Sequence, residues 1–274
     1  MDTKFLDVAD GRIAYDDMGK GPLVLCVPSM GDLRAEYRFL APHLAAAGFR
    51  VISIDVRGHG ESSVDWPDYS VAGVGCDMLD LIRSLNNGPA VIIGESMAGG
   101  AAVWAAAKAP ELVAGLLLLD PFVRGGGEWW SKLLYGAMFA RPWGPAIWLR
   151  YYASLYPSQK PADFAQYSAA LGANLKEAGR MEALLAMLAA SKKASEDLLP
   201  AVSAPTLVLM GAKDRDFKYP EQEASFVAQS LRGTYQMISE AGHYPHAELP
   251  EVTVPIALDF VCKVHSLKER VHVA

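Results

Sequence analysis

Ala90-Val91-Ile92-Ile93-Gly94-Glu95-Ser96-Met97-Ala98-Gly99-Gly100-Ala101-Ala102 joins an apolar, β-branched run to a run of small residues through a glycine and a serine. The first run predicts a buried strand and the second a helix, with Ser96 at the apex of a very tight turn between them. Such a turn forms only with small flanking residues, because neighbouring backbone passes close by. It leaves the Ser96 hydroxyl at the end of a buried strand, beside the N–H groups of a helix's first turn. That placement suits a nucleophile.

The same alternation extends to both sides. Phe5–Val8 and Arg12–Met18 predict a hairpin across Asp10-Gly11, Leu23–Val27 a fully apolar strand, and Ala35–Ala47 a helix ending at Gly48. Val51–Asp55 is a further strand, Val71–Leu85 a helix, Met97–Ala109 a helix stopped by Pro110, and Leu116–Asp120 a strand. Strands apolar on both faces and separated by helices indicate a parallel sheet covered on both sides. From Phe122 to Pro200 the pattern changes. No strand is predicted there, and aromatics accumulate (Trp129, Trp130, Tyr135, Trp148, Tyr151, Tyr152 and others) between Pro142, Pro145, Pro157 and Pro161. Strand Thr206–Met210, helix Glu221–Leu231, strand Thr234–Ile238 and a last helix over about 252–266 then restore the rhythm. The expected organisation is a core over residues 1–121 and 201–274, interrupted by a helical cap over 122–200.

Composition narrows the classes. The chain has 274 residues, 51% of them hydrophobic, and a net charge of −6 without a basic tract, which argues against nucleic acid as a partner. Cys26, Cys76 and Cys262 lie far apart with no metal-ligand spacing, and read as reduced core residues rather than a disulfide framework. Met1-Asp2-Thr3-Lys4-Phe5 shows no signal-peptide pattern, and the most apolar run, Leu112–Leu119, is too short for a membrane span. A cytoplasmic protein acting on a small molecule, without cofactor or metal, is expected.

A serine hydroxyl needs a base to take its proton and a third group to orient that base. Two late strands are followed by candidates: Gly211-Ala212-Lys213-Asp214-Arg215-Asp216 and Glu240-Ala241-Gly242-His243-Tyr244-Pro245-His246. Reactive groups of open α/β sheets collect at the carboxyl ends of strands. Ser96, Asp214 and His243 all lie just beyond such ends, in the chain order Ser, Asp, His.

With Gly94-Glu95-Ser96-Met97-Ala98, that chain order, Arg57-Gly58-His59-Gly60-Glu61-Ser62 after a strand and the Gly-His stretch at His243, the sequence resembles the α/β-hydrolase fold superfamily, in its capped, lipase/esterase-like form, from about Leu23 to Phe260. The resemblance implies a mostly parallel eight-stranded sheet with helices on both faces and an inserted cap. It implies Ser96 as nucleophile, His243 as base, Asp214 as acid, and an oxyanion hole from the backbone N–H groups of Met97 and Met30. There are two departures. Ala98 stands where the family's elbow has glycine, and Pro28-Ser29 stands where His-Gly is usual. Asp216 and Asp120 are alternative acids, Asp120 ending a strand where some members carry theirs.

The function expected from these residues is serine hydrolysis through an acyl-enzyme, foremost of a small or medium apolar carboxylic ester. Carbon–carbon hydrolysis, lactone opening and perhydrolysis use the same triad and remain open, since fold alone does not choose among them. A ligand receptor with slow or no turnover is the alternative outside catalysis. A serine rather than an aspartate at position 96 counts against epoxide hydrolase and haloalkane dehalogenase chemistry. Glu95 is expected to tune His243, to bind a polar substrate group, or to be satisfied by backbone. Asp32-Leu33-Arg34 reads as a solvated helix start, with substrate contact as the alternative, His59 as a brace for its turn, and His246 as a surface or locally bonded residue.

Overall fold

The computed structural model describes residues 2–125, 129–139 and 142–272, with side chains from 133 in the second stretch and up to 266 in the third. The strands are β1 (Lys4–Val8), β2 (Gly11–Gly19), β3 (Leu23–Val27), β4 (Arg50–Ile54), β5 (Ala90–Glu95), β6 (Val113–Leu119), β7 (Thr206–Gly211) and β8 (Thr234–Ile238). They form one eight-stranded sheet in the order β1-β2-β4-β3-β5-β6-β7-β8. β2 pairs antiparallel with β1 and β4, and every pairing from β4 onward is parallel. As their unbroken apolar runs predict, β3, β5 and β6 are buried at every residue.

The helices in chain order are α1 (Ala41–Ala46), α2 (Val71–Leu85), α3 (Met97–Lys108), α4 (Trp129–Met138), α5 (Gly144–Ser154), α6 (Phe164–Lys176), α7 (Arg180–Ala189), α8 (Lys193–Glu196), α9 (Pro220–Ser230), α10 (Pro245–Glu248) and α11 (Pro250–His272). Val74, Met78 and Leu81 of α2, the alanines of α3 and Val227 of α9 bury one sheet face. Leu44 of α1 and Val254, Ala257 and Val261 of α11 bury the other. Each buried valine, leucine or methionine among these contributes about 1.5–3 kcal/mol by leaving water. The Ser70 hydroxyl caps α2 by accepting from Gly73 N–H, and Asn86 ends it in a left-handed conformation.

One helix differs from its expected form. Instead of a single helix over 35–47, a 3₁₀ turn covers Arg34–Phe39 and α1 starts at Ala41. Pro42, in the first turn of α1, has no N–H to give to a preceding carbonyl, so the two pieces cannot run on as one. Between β6 and β7 the described residues hold helices α4 to α8 and no strand. The side chains of Trp129 and Trp130 lie outside the described residues. Among the described residues, no helix is long and apolar enough to cross a membrane. Cys26 is buried as expected, but Cys76 and Cys262 are exposed, on outward-facing positions of α2 and α11.

Candidate active site

The chain runs from central strand β3 outward to β4, then crosses back to β5 on the other side of β3. Ligands in such sheets bind beyond the carboxyl ends at this reversal. Val27 and Gly94 are register partners there, so the loop after β3 and the turn after β5 leave the sheet side by side.

Ser96 occupies that turn with φ 54° and ψ −120°, a costly conformation for a residue with a side chain. Its backbone is held from both sides. Ser96 N–H donates to Leu119 O at 2.9 Å, and Ser96 O accepts from Gly99 N–H at 3.0 Å and Phe122 N–H at 2.9 Å. A Cβ on Gly94 would approach Ala98 O to 2.8 Å, so the strand's last turn into the helix leaves no room for one. Ala98 itself is fully buried and fits the elbow with its extra methyl group.

His243 follows β8, its N–H donating to Leu155 O at 3.1 Å. Its Nδ1 lies 2.6 Å from Asp214 Oδ2. A carboxylate oxygen only accepts, so Nδ1 carries the proton and Nε2 is left as the basic nitrogen. Burial alone would lower the His243 pKa, but the Asp214 charge and hydrogen bond outweigh it and raise the value above the usual 6.5. Asp214 is oriented in turn by Asp216 N–H, which donates to its Oδ1 at 2.9 Å. Each alternative acid has a hydrogen bond of its own: Asp120 Oδ1 accepts from Gly211 N–H at 2.9 Å, and Asp216 Oδ2 accepts from the Tyr151 hydroxyl. Ligand atoms of Asp120, Asp214 and His243 lie within 4.8 Å of one another, close enough for a cation, but the His243–Asp214 hydrogen bond already uses that space.

Ser96 and His243 line one cavity of about 400 Å³, together with Met30, Phe122, Trp148, Tyr151, Leu188 and Lys192 among others. In the loop after β3, Ser29 N–H donates to Glu36 Oε2 at 2.9 Å and Gly31 N–H to His59 Nε2 at 2.9 Å. Met30 N–H, between them, has no acceptor among the described residues, and neither does Met97 N–H at the start of α3. His59 therefore braces more than its own turn: Nδ1–H donates to Arg57 O, and burial holds its pKa down to about 4, leaving Nε2 free to accept.

Beneath the cavity lies a buried polar floor that the sequence alone does not reveal. Asp32 is fully buried rather than solvated, with Oδ1 accepting from the Tyr167 hydroxyl at 2.5 Å. His246 is fully buried rather than at the surface, its Nε2 3.2 Å from Glu36 Oε1, and burial lowers its pKa to about 3. Burial, aided by mutual repulsion, raises Asp32 to about 8; burial raises Glu36 to about 8. Glu95 places Oε1 3.4 Å from His243 Nε2, and neither of its oxygens accepts a hydrogen bond among the described residues, so backbone there does not satisfy it. Burial, then the neighbouring carboxylates, raises its pKa well above the usual value. Glu248, also buried, accepts from Gly242 N–H at 2.7 Å and from Ser158 N–H at 2.6 Å, tying the His243 loop to the inserted helices. For Glu36 and Glu248 the sequence offers no signal beyond an ordinary acidic residue on a helix.

The chain matches the family described as alpha/beta hydrolase fold over residues 22–250. It is 28% identical over 269 residues to a 2-(acetamidomethylene)succinate hydrolase of Mesorhizobium japonicum, covering 92% of both chains. It is 35% identical over 117 residues to an uncharacterized protein of Mycobacterium tuberculosis, a match that spans 34% of that protein and 43% of this chain. Among solved structures, a thermophilic esterase of Thermogutta terrifontis, with malate bound, superposes with a TM-score of 0.74 at 26% identity, covering 96% of this chain and 99% of the esterase.

Proposed function

This chain belongs to the alpha/beta hydrolase fold family, and on that premise we propose that it is a serine hydrolase cleaving carboxylic esters of small or medium size through an acyl-enzyme on Ser96. The observation that carries this reading is the Asp214–His243 pair, joined at 2.6 Å at the edge of a cavity that Ser96 also lines. His243 Nε2 takes the Ser96 proton as Oγ bonds to the ester carbonyl carbon. The resulting oxyanion accepts from Met97 N–H and Met30 N–H, neither of which has an acceptor among the described residues. Removing one such donor typically costs about 3–4 kcal/mol of transition-state stabilisation.

His243 then gives its proton to the departing alkoxide, leaving the acyl group on Ser96. Water attacks that acyl carbon while His243 takes a proton from it, and Ser96 recovers a proton as the acid leaves. Asp214 favours the imidazolium that forms twice in this cycle, consistent with the raised His243 pKa. The walls supplied by Met30, Phe122, Leu155 and Leu188 suit the carbon chain of such an ester. The similarity to a hydrolase and an esterase over more than nine-tenths of the chain supports water as the acyl acceptor.

The test is labelling with a fluorophosphonate, mapping of the modified residue, and turnover of p-nitrophenyl butyrate. Ser96→Ala should abolish labelling and lower kcat by roughly 10⁶-fold. Full turnover in Ser96→Ala would overturn the proposal.

A further inference from the structure

The wall of the Ser96 cavity includes Arg124, Asp216, His243 and Lys192, and the first three are already answered. Arg124 Nε donates to Glu223 Oε1 at 3.0 Å, Asp216 accepts from Tyr151, and His243 pairs with Asp214. Lys192 is the exception. It is only 6% exposed, yet its ammonium makes one hydrogen bond, to Ala190 O at 3.2 Å, and has no carboxylate within ion-pairing distance among the described residues. An ammonium has three donors, and burying one without a counter-charge is costly. Burial accordingly pulls the Lys192 pKa below the usual lysine value.

The residue is also fixed in place. Lys192 N–H donates to Gly125 O at 3.0 Å, and Ser195, one turn on, donates its hydroxyl to Gly100 O at 2.8 Å. Lys192 is thus anchored between the loop after β6 and α3, the helix that follows Ser96. A long cationic side chain with a free choice would run out to water. This one is held inside the substrate cavity.

Resting on the serine-hydrolase reading above, we propose that Lys192 forms an anion subsite of the Ser96 cavity, and that the ester cleaved there carries a carboxylate. A single uncompensated positive charge matches a single negative one. A dianion such as a phosphate monoester would leave its second charge facing Asp216 in the same wall. The carboxylate supplies the counter-charge that Lys192 lacks among the described residues, and so fixes which end of the substrate reaches Ser96.

The experiment compares kcat/KM for matched pairs that differ in one charge. Mono-p-nitrophenyl glutarate against p-nitrophenyl pentanoate places the carboxylate on the acyl side, and 4-(butyryloxy)benzoate against its methyl ester places it on the alcohol side. Wild-type protein should favour the acid member of at least one pair by about tenfold or more, and Lys192→Met should lower that ratio by about tenfold or more. The ratio does not depend on the fraction of the variant that folds. A wild-type ratio at or below one in both pairs, or a ratio unchanged in Lys192→Met, would overturn the subsite. Should Lys192→Met not fold at all, calorimetric binding of glutaramate, which carries one carboxylate, to Ser96→Ala takes its place. Glutaramate binding well above that of glutaramide supports the subsite, and equal binding overturns it. Absence of fluorophosphonate labelling and of turnover on all four esters would instead remove the parent reading, while the glutaramate measurement still decides the subsite.

Discussion

The sheet and the inserted helices are held by different kinds of contact. Both faces of the sheet bury leucine, isoleucine, valine and alanine, whose contribution scales with area and carries little direction. The inserted helices instead pack Phe139, Trp148, Tyr152, Tyr156 and Tyr167 against Tyr244. Two of these rings, Trp148 and Tyr167, end in polar atoms that reach across to the sheet side. Trp148 Nε1–H donates to Gly31 O at 3.1 Å, the Tyr167 hydroxyl to Asp32, and Arg38 makes a two-pronged pair with Asp163. Aliphatic packing stabilises; an aromatic with a hydrogen-bonding tip also fixes position. The loop carrying Met30 is therefore pinned twice, by Glu36 and His59 from below and by Trp148 from above. Positioning of one proposed oxyanion donor depends on both regions.

The sharpest contrast between the regions falls within one turn. Asp214 faces His243 of the sheet side, whereas Asp216, two residues on, is bonded to Tyr151 of α5. Asp214→Asn should lower kcat about 10⁴-fold, because an amide no longer selects the right His243 tautomer. Asp216→Asn and Asp120→Asn should each cost less than about tenfold. Steady-state kinetics on a p-nitrophenyl ester decide this, and a greater loss in either of the latter two would move the acid to that residue.

A smaller effect should come from the junction itself. Trp148→Phe keeps a ring but removes the N–H that satisfies Gly31 O, leaving a buried carbonyl at a cost of roughly 1–3 kcal/mol. With the loop pinned from one side only, kcat should fall about tenfold, part of the roughly 10²–10³-fold that loss of a donor costs outright. Gly31→Ala should be worse in stability, since φ there is +72° and a Cβ would lie 2.4 Å from Trp148 Cζ2. Unchanged kcat and melting temperature in Trp148→Phe would show that the inserted helices do not position the loop.

The same contrast explains what was legible in the sequence. Strands buried on both faces announce themselves as apolar runs, so the sheet, its family and the neighbourhood of Ser96 follow from residues such as Val91–Ile93 and Leu116–Leu119. The split at Pro42 was legible in a proline inside a helical run, although the expectation of one helix over 35–47 passed over it. Asp32, Glu36 and His246 were not, because their burial is imposed by aromatic side chains from helices far along the chain. Nothing in a local window distinguishes a carboxylate that meets Tyr167 from one that meets water. Lys192 belongs to the same class: its burial depends on how α8 packs against the helix after Ser96.

That buried floor makes one further, smaller prediction. Asp32 has a pKa of about 8 when folded, against 3.8 as its ordinary value, because burial and the nearby Glu36 charge disfavour its ionised form. Over the intervening range the folded chain holds a proton that the unfolded chain has lost, so the contribution of Asp32 to stability falls as pH rises towards 8. His59 and His246, kept neutral by burial, act in the opposite sense, but only below the ordinary histidine value of 6.5. Between pH 6.5 and 8 they are silent and the carboxyl groups dominate. The melting temperature of the wild type should therefore decline across that window. Asp32→Asn, which retains an acceptor for Tyr167, should remove about 2 kcal/mol of the decline, or roughly 4–8 °C. Identical slopes in the two proteins would mean that Asp32 is already ionised in the folded chain, with Tyr167 donating to a full charge; the polar floor would then hold a buried anion rather than a proton.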